Sequence, residues 1–164
     1  MPYVFETMNE FHRNAVIDIY NHFIATSMAA YTDAAVPYEM FDRFMDMTRG
    51  YPAVVVKDDA QRAVGFGFLR PYHPAPTFRR AAEITYFILP EHTGQGLGTA
   101  ILKRFIKEGK RMGIDTILAN ISSHNGQSLA FHRKHGFREC GRFKRVGKKF
   151  GRDFDVVWMQ LDLG

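Results

Sequence analysis

At 164 residues, with 46% hydrophobic and 24% charged side chains, the chain has the size and composition of one folded domain, which excludes wholesale disorder. A single cysteine, Cys140, excludes an internal disulfide, and the longest strongly apolar run, residues 84–89, falls far short of the roughly 18 residues of a spanning helix. The net charge of +5 is uneven, because residues 103–152 hold fourteen Lys and Arg against Glu108, Asp115 and Glu139. That suits a polyanion, whether nucleic acid or a phosphorylated cofactor, or else a solvated helix face and hairpin.

With no basic-then-apolar leader at its start, the sequence reads as a single cytoplasmic domain over residues 1–164, held by packing. Residues 3–7 predict an opening strand. Phe11, Ala15, Ile19, Tyr20, Phe23 and Ile24 then recur at the three- and four-residue spacing of a helix. Pro37 is placed to start a second helix through Phe41, Phe44 and Met45 that stops near Gly50. Residues 53–57 and 63–70 flank the turn-forming Asp58-Asp59-Ala60-Gln61 and predict a hairpin. A stiff loop with Pro71, Pro74 and Pro76 leads to a third strand, residues 81–89, closed by Pro90.

Next comes Thr93-Gly94-Gln95-Gly96-Leu97-Gly98, followed by a helix carrying Leu97, Ile101, Leu102, Phe105, Ile106 and Met112 on one face. Strand, glycine turn and helix together make an anion site, since glycines admit close backbone approach and the first helical turn leaves N–H groups unpaired. A glycine-rich connection without a ligand is the plainer alternative. A dinucleotide fingerprint fails, because Thr99 stands where the third glycine belongs and the next strand, residues 116–121, ends in Ser122 and Ser123 rather than an acid. No Walker lysine follows the turn either.

This segment resembles the pyrophosphate loop of the GNAT superfamily of acetyl-coenzyme A dependent N-acetyltransferases, which reads Arg or Gln-x-x-Gly-x-Gly or Ala; here Thr93 takes the first position. A second superfamily pattern, Asn followed seven residues on by Tyr and eleven on by Gly-Phe, is matched by Asn125, His132, Gly136 and Phe137. Within the superfamily the chain resembles the phosphinothricin acetyltransferase group, whose members also acetylate methionine sulfoximine or sulfone. The resemblance rests on I-Y-N-H-F-I-A-T-S from Ile19, on Glu83, on the histidine at 132 and on V-G-K-K-F-G-R from Val146. Two departures stand out. Tyr72-His73 replaces an aromatic followed by Arg or Lys, and A-A-E-I-T-Y-F-I replaces T-V-E-x-S-V-Y-V.

The resemblance implies an α/β fold of the α+β type, with a central, mostly antiparallel mixed sheet of about seven strands flanked by about four helices. It implies acetyl-CoA held between two splayed strands by Tyr86, Phe87, Ile88, Gly94, Gln95, Gly96, Leu97, Gly98, Thr99 and Asn125. The acceptor, a small amino-acid-like primary amine, is expected beside Tyr31, His73, Glu83, Ile84 and Thr85. A homodimer is implied, with no metal and no nucleic-acid or membrane partner. Chemistry sharpens the roles: an α-amino group titrates near about 7.7–8.0 and must lose a proton before it attacks a thioester.

Glu83, set among Ile84, Tyr86 and Phe87, is the candidate base, with an ion pair to Arg79 or Arg80 as its structural alternative. Strand N–H groups near Phe87 and Ile88 would stabilise the oxyanion. His132 either protonates the leaving thiolate or acts with Glu83 on the amine. His124, His132 and His135 lack a suitable carboxylate for a metal other than Glu139, and Cys140 reads as a buried bystander. Three rivals remain: an acceptor that is a protein N-terminus or polyamine, a nucleic-acid module built on Phe143 and Phe150 among basic residues, and an inactive acyl-CoA sensor.

Overall fold

The computed structural model describes residues 2–164. Among them seven strands form one sheet: β1 (Val4–Thr7), β2 (Ala53–Lys57), β3 (Ala63–Pro71), β4 (Ala81–Ile88), β5 (Thr116–Ser122), β6 (Arg138–Lys149) and β7 (Arg152–Asp162). Four α-helices accompany it, α1 (Arg13–Thr26), α2 (Met40–Met47), α3 (Leu97–Arg111) and α4 (Gly126–Lys134). The strand order is β1-β2-β3-β4-β5-β7-β6, antiparallel throughout except for the β4–β5 pair. This is the mixed sheet the sequence led us to expect. Among the described residues no helix is long and apolar enough to cross a membrane.

Period-two alternation sends side chains to opposite sheet faces, and both faces are covered. Phe66 and Phe68 pack with Val55, Phe41, Phe44, Val16 and Ile17 beneath α1 and α2. On the other face Val54, Val56, Leu69 and Ala82 meet Ile101, Leu102 and Phe105 of α3. Each such Phe or Leu contributes about 1.5–3 kcal/mol by leaving water. Gly67 lies on the α3 face, where an added Cβ would come 3.3 Å from Ile101 and 3.0 Å from Tyr86 Cβ. The missing side chain lets α3 and the Tyr86 ring sit close to the sheet.

The feature that makes a site is a separation of strands. β4 and β5 pair only over Ala81–Glu83 against Thr116–Leu118, although β4 runs on to Ile88 and β5 to Ser122. Past Glu83 the two strands diverge, and the backbone edge of β4 that faces β5 loses its partner. Which N–H groups face that gap follows from alternation. Leu89 donates its N–H to Val64 O of β3 (2.9 Å), so Phe87, two residues earlier, also faces β3, while Tyr86 and Ile88 face the gap. Phe87, expected to offer its N–H to an oxyanion, is therefore turned the other way.

Three more expectations need correction. Pro37 does not begin α2; Met40 and Phe41 donate to the carbonyls of Pro37 and Tyr38, so the proline opens a turn and the α-helix starts at Met40. Phe11 does not join the buried face of α1, because Asn9 caps a short 3-10 turn that holds it 91% exposed. Cys140 is exposed, since it lies on β6, an outer strand paired only with β7.

At the end of β6 the hairpin turns inward again. Lys149 is buried and donates its Nζ protons to the carbonyls of Ser27 (2.8 Å) and Ala30 (2.6 Å). Phe154 stacks on Tyr31 with ring centres 5.5 Å apart. The segment after α1 is thus tied to the far end of the chain.

Candidate active site

Glu83 is the last residue of β4 paired with β5, and only 5% of its surface is exposed. Arg70 stands opposite it on β3 and donates to its Oε1 at 3.0 Å, while Asn120 Nδ2 from β5 donates to the same oxygen. These are not the partners the sequence suggested: Arg80 pairs instead with Asp115 at 3.3 Å. With both bonds on Oε1, Oε2 has no hydrogen-bond partner among the described residues and yet is not buried from solvent. That oxygen opens into a cavity of about 340 Å³ whose lining includes Tyr31, Arg43, Arg70, Ile84 and Thr85. Burial, and then the charge of Glu83, push the Tyr31 hydroxyl above its ordinary range.

His73 lines no part of that cavity. Its Nδ1 accepts from the Ala75 N–H (3.1 Å) and its ring leans on Phe78 at 4.7 Å, so it is used up in folding its own loop. Arg43, by contrast, had no sequence signal. It projects from α2 and makes no hydrogen bond or ion pair among the described residues. Arg70 and Asn120 were missed for a related reason, since they reach Glu83 only through strand register.

A second, larger cavity of about 780 Å³ runs along the splayed edge to the glycine loop. Thr93, Gly94, Gly96, Leu97, Gly98 and Thr99 line it, while Gln95 does not. Gly94 and Gly96 have φ of +76° and +80°, the left-handed region that glycine enters without steric cost. Gly96 is also the residue before α3 and brings no side chain to cap it. As a result the N–H groups of Gly94 to Thr99 have no acceptor among the described residues, and the positive end of a 15-residue helix faces the cavity. The donor set fits a diphosphate. Thr99 Oγ1 lies 3.0 Å from His135 Nε2, which ties the loop to α4.

The two cavities share one wall, formed by Ala29, Tyr86, Phe87, Asn125, Ser128 and His132. Asn125 caps α4 by accepting from the Ser128 N–H at 3.2 Å. His132 Nδ1 is 2.7 Å from the Ser128 carbonyl, which only accepts, so Nδ1 carries the proton. Nε2 then holds a lone pair and accepts from the Tyr86 hydroxyl at 2.6 Å. Burial pulls His132 down to about 4, opposed by the Ser128 bond, so the ring is neutral at pH 7. Burial moves Tyr86 in the other direction, above its ordinary value. The other two histidines of this region are also engaged, His135 with Phe131 O and His124 with Asp153 O, and among the described residues no three His, Cys, Asp or Glu side chains converge.

Comparison with known proteins identifies the arrangement. The model of the Acetyltransferase (GNAT) family matches residues 16–137. The L-methionine sulfoximine/L-methionine sulfone acetyltransferase of Pseudomonas aeruginosa is 30% identical over 150 residues, covering 90% of this chain and 87% of that one. A GNAT superfamily phosphinothricin acetyltransferase from Sinorhizobium meliloti, solved with acetyl-CoA, superposes with a TM-score of 0.93 at 28% identity, over 100% of this chain and 90% of that one. A Salmonella typhimurium acetyltransferase structure, solved with its cofactor acetyl-CoA, gives 0.89 at 29% identity, over 99% and 94%. Family match, full-length relatives and the paired cavities agree, and the chain belongs to the acetyltransferase (GNAT) family as an N-acetyltransferase.

Proposed function

We propose that this enzyme moves the acetyl group of acetyl-CoA to the primary amine of a small amino-acid-like acceptor, of the phosphinothricin or methionine sulfoximine or sulfone kind. Transfer is by direct attack with both substrates bound in one domain, residues 1–164. One observation carries the reading: a buried carboxylate with one free oxygen opens into a small cavity that shares a wall with the cavity of the diphosphate-binding loop. The loop N–H groups from Gly94 to Thr99 hold the diphosphate, and the pantetheine arm follows the splayed edge, where the Tyr86 and Ile88 N–H groups face the thioester oxygen. Glu83 takes a proton from the acceptor ammonium through Oε2, while Arg70 and Asn120 hold the carboxylate in place.

Charge in the acceptor cavity supports an acceptor with an anionic group. Arg70 is neutralised by Glu83, which leaves Arg43 as a cation without an ion-pair partner in the lining among the described residues. An α-amino acid supplies the matching carboxylate, whereas a polyamine brings further positive charge and a peptide N-terminus has its carboxylate converted to an amide.

Thiol release from acetyl-CoA, measured across amino acid analogues, their amides, dipeptides and polyamines, tests the assignment. Amino acid analogues are expected to be preferred, Glu83→Gln to lower kcat by about 10²–10⁴-fold, and Arg43→Gln to raise KM for the acceptor by about 5- to 30-fold, the equivalent of 1–2 kcal/mol. Preference for a polyamine, or full turnover by Glu83→Gln, would refute it. The family resemblance also carries a homodimer, which sedimentation would test.

A further inference from the structure

Between the two cavities stands one hydrogen-bonded pair whose chemistry the acceptor base leaves unused. Of the six residues in the shared wall, only Tyr86 and His132 have side chains of a titratable type. The order of donors is fixed: Ser128 O accepts a hydrogen bond from the Nδ1–H of His132, and His132 Nε2 accepts one from the Tyr86 hydroxyl, leaving the phenol oxygen with lone pairs to offer. The rings are held rigidly. Tyr86 meets His132 edge-on at 5.6 Å and Phe131 at 5.8 Å, and Phe137 closes on His132 at 4.8 Å. Glu83 lies outside this chain of bonds, with Arg70 and Asn120 as its partners. In the sequence Tyr86 is also one of the departures from the pattern of the resembling group, which has Val at this place.

We propose that Tyr86 and His132 form a proton relay that takes the second proton from the attacking nitrogen and returns it to the departing sulfur, with Tyr86 as the catalytic residue and His132 as the positioning residue behind it. The relay rests on the acetyl-transfer reading above. The acceptor enters as an ammonium and loses one proton to Glu83 and then to solvent. Its nitrogen forms a C–N bond to the thioester carbon, and the carbonyl π pair moves to oxygen. The nitrogen, now formally positive, gives a proton to the Tyr86 oxygen as the Tyr86 proton passes to His132 Nε2. The C=O bond re-forms, the C–S bond breaks with its electron pair on sulfur, and the proton returns through Tyr86 to make the thiol. The products are one amide, one free thiol and the one proton lost at Glu83, so no other reagent is needed. The Ser128 carbonyl steadies the imidazolium while it holds the proton.

The test combines variants with isotope kinetics on the whole enzyme. Tyr86→Phe keeps the ring and removes the oxygen; kcat is expected to fall about 10²-fold or more, with KM for acetyl-CoA within twofold and the melting temperature lowered by several degrees, because His132 Nε2 loses its donor. His132→Gln is expected to lower kcat, and the double variant to be no slower than Tyr86→Phe, as for two groups acting in one step. In wild type, kcat plotted against deuterium fraction is expected to bow downward, because more than one proton moves. A straight plot, kcat of Tyr86→Phe within twofold of wild type, or multiplying losses in the double variant would overturn the relay, and the plot needs no variant to fold. If wild type releases no thiol with any amine, the acetyl-transfer reading falls and the relay with it. If wild type turns over but Tyr86→Phe matches it, the relay alone falls.

Discussion

Replacing Gly94 and Gly96 by alanine tests the loop with a perturbation whose two consequences separate. Both glycines sit at positive φ, and a Cβ added at either meets no atom within 4 Å, so the cost is backbone strain without collision. An L-residue in that region costs about 1–2 kcal/mol, which for a chain of this length lowers the melting temperature by about 2–8 °C per site. If the loop relaxes away from the left-handed region, the N–H groups turn from the diphosphate. Each charge-assisted bond lost is worth about 1.5–3 kcal/mol, or about 10- to 150-fold in the Kd for coenzyme A.

Gly113 supplies the control, because it has φ of +85°, equal open space and a position just beyond α3, at the end away from the loop. Gly113→Ala is expected to lower the melting temperature without changing the Kd measured by calorimetry. Equal Kd values for Gly96→Ala, Gly113→Ala and wild type would refute the assignment of the loop as the diphosphate cradle.

Two further predictions follow from buried groups. Lys149→Met keeps most of the volume but leaves the Ser27 and Ala30 carbonyls without their donor; urea unfolding is expected to show a loss of about 2–4 kcal/mol, and KM for the acceptor to rise because Tyr31 loses its anchor. His132 titrates at about 4 when folded against 6.5 in the unfolded chain, so as pH falls through that window the unfolded state takes up protons first and stability drops. The full effect is about 3 kcal/mol, present above pH 6.5 and lost by pH 4, and His132→Gln is expected to flatten that part of the stability curve in urea titrations across pH.

The first five strands and the glycine loop were legible because each depends on local pattern, whereas β6 and β7 were not read as strands. Val54, Val55 and Val56 before a turn of Asp and Gln mark a half of a hairpin wherever they occur, and Gly94 and Gly96 between a strand and a helix mark a site where backbone approaches a ligand. What stayed hidden depends on register and on helix placement. Arg70 meets Glu83 only because β3 pairs with β4 so that the two residues stand opposite, and a slip of one position would have turned Arg70 to the other face. Asn120 reaches the same oxygen across a parallel pair that spans only three positions. His73 looked suitable from its place in the loop, yet its ring is taken up by the Ala75 N–H and Phe78. The Tyr86–His132 bond joins residues 46 apart, and nothing in either local sequence announces it.

The place of β7 inside the sheet bears on how the protein is made. β5 has β7, not β6, as its neighbour, so during translation the residues of β5 wait with one edge bare until the chain has been synthesised through Asp162. Until then β5 offers unpaired backbone N–H and C=O groups along Thr116–Ser122, the kind of edge on which nascent chains associate. Assembly of the second half is therefore a late event, and chaperone demand during expression would track changes in the last strand more closely than changes in the first.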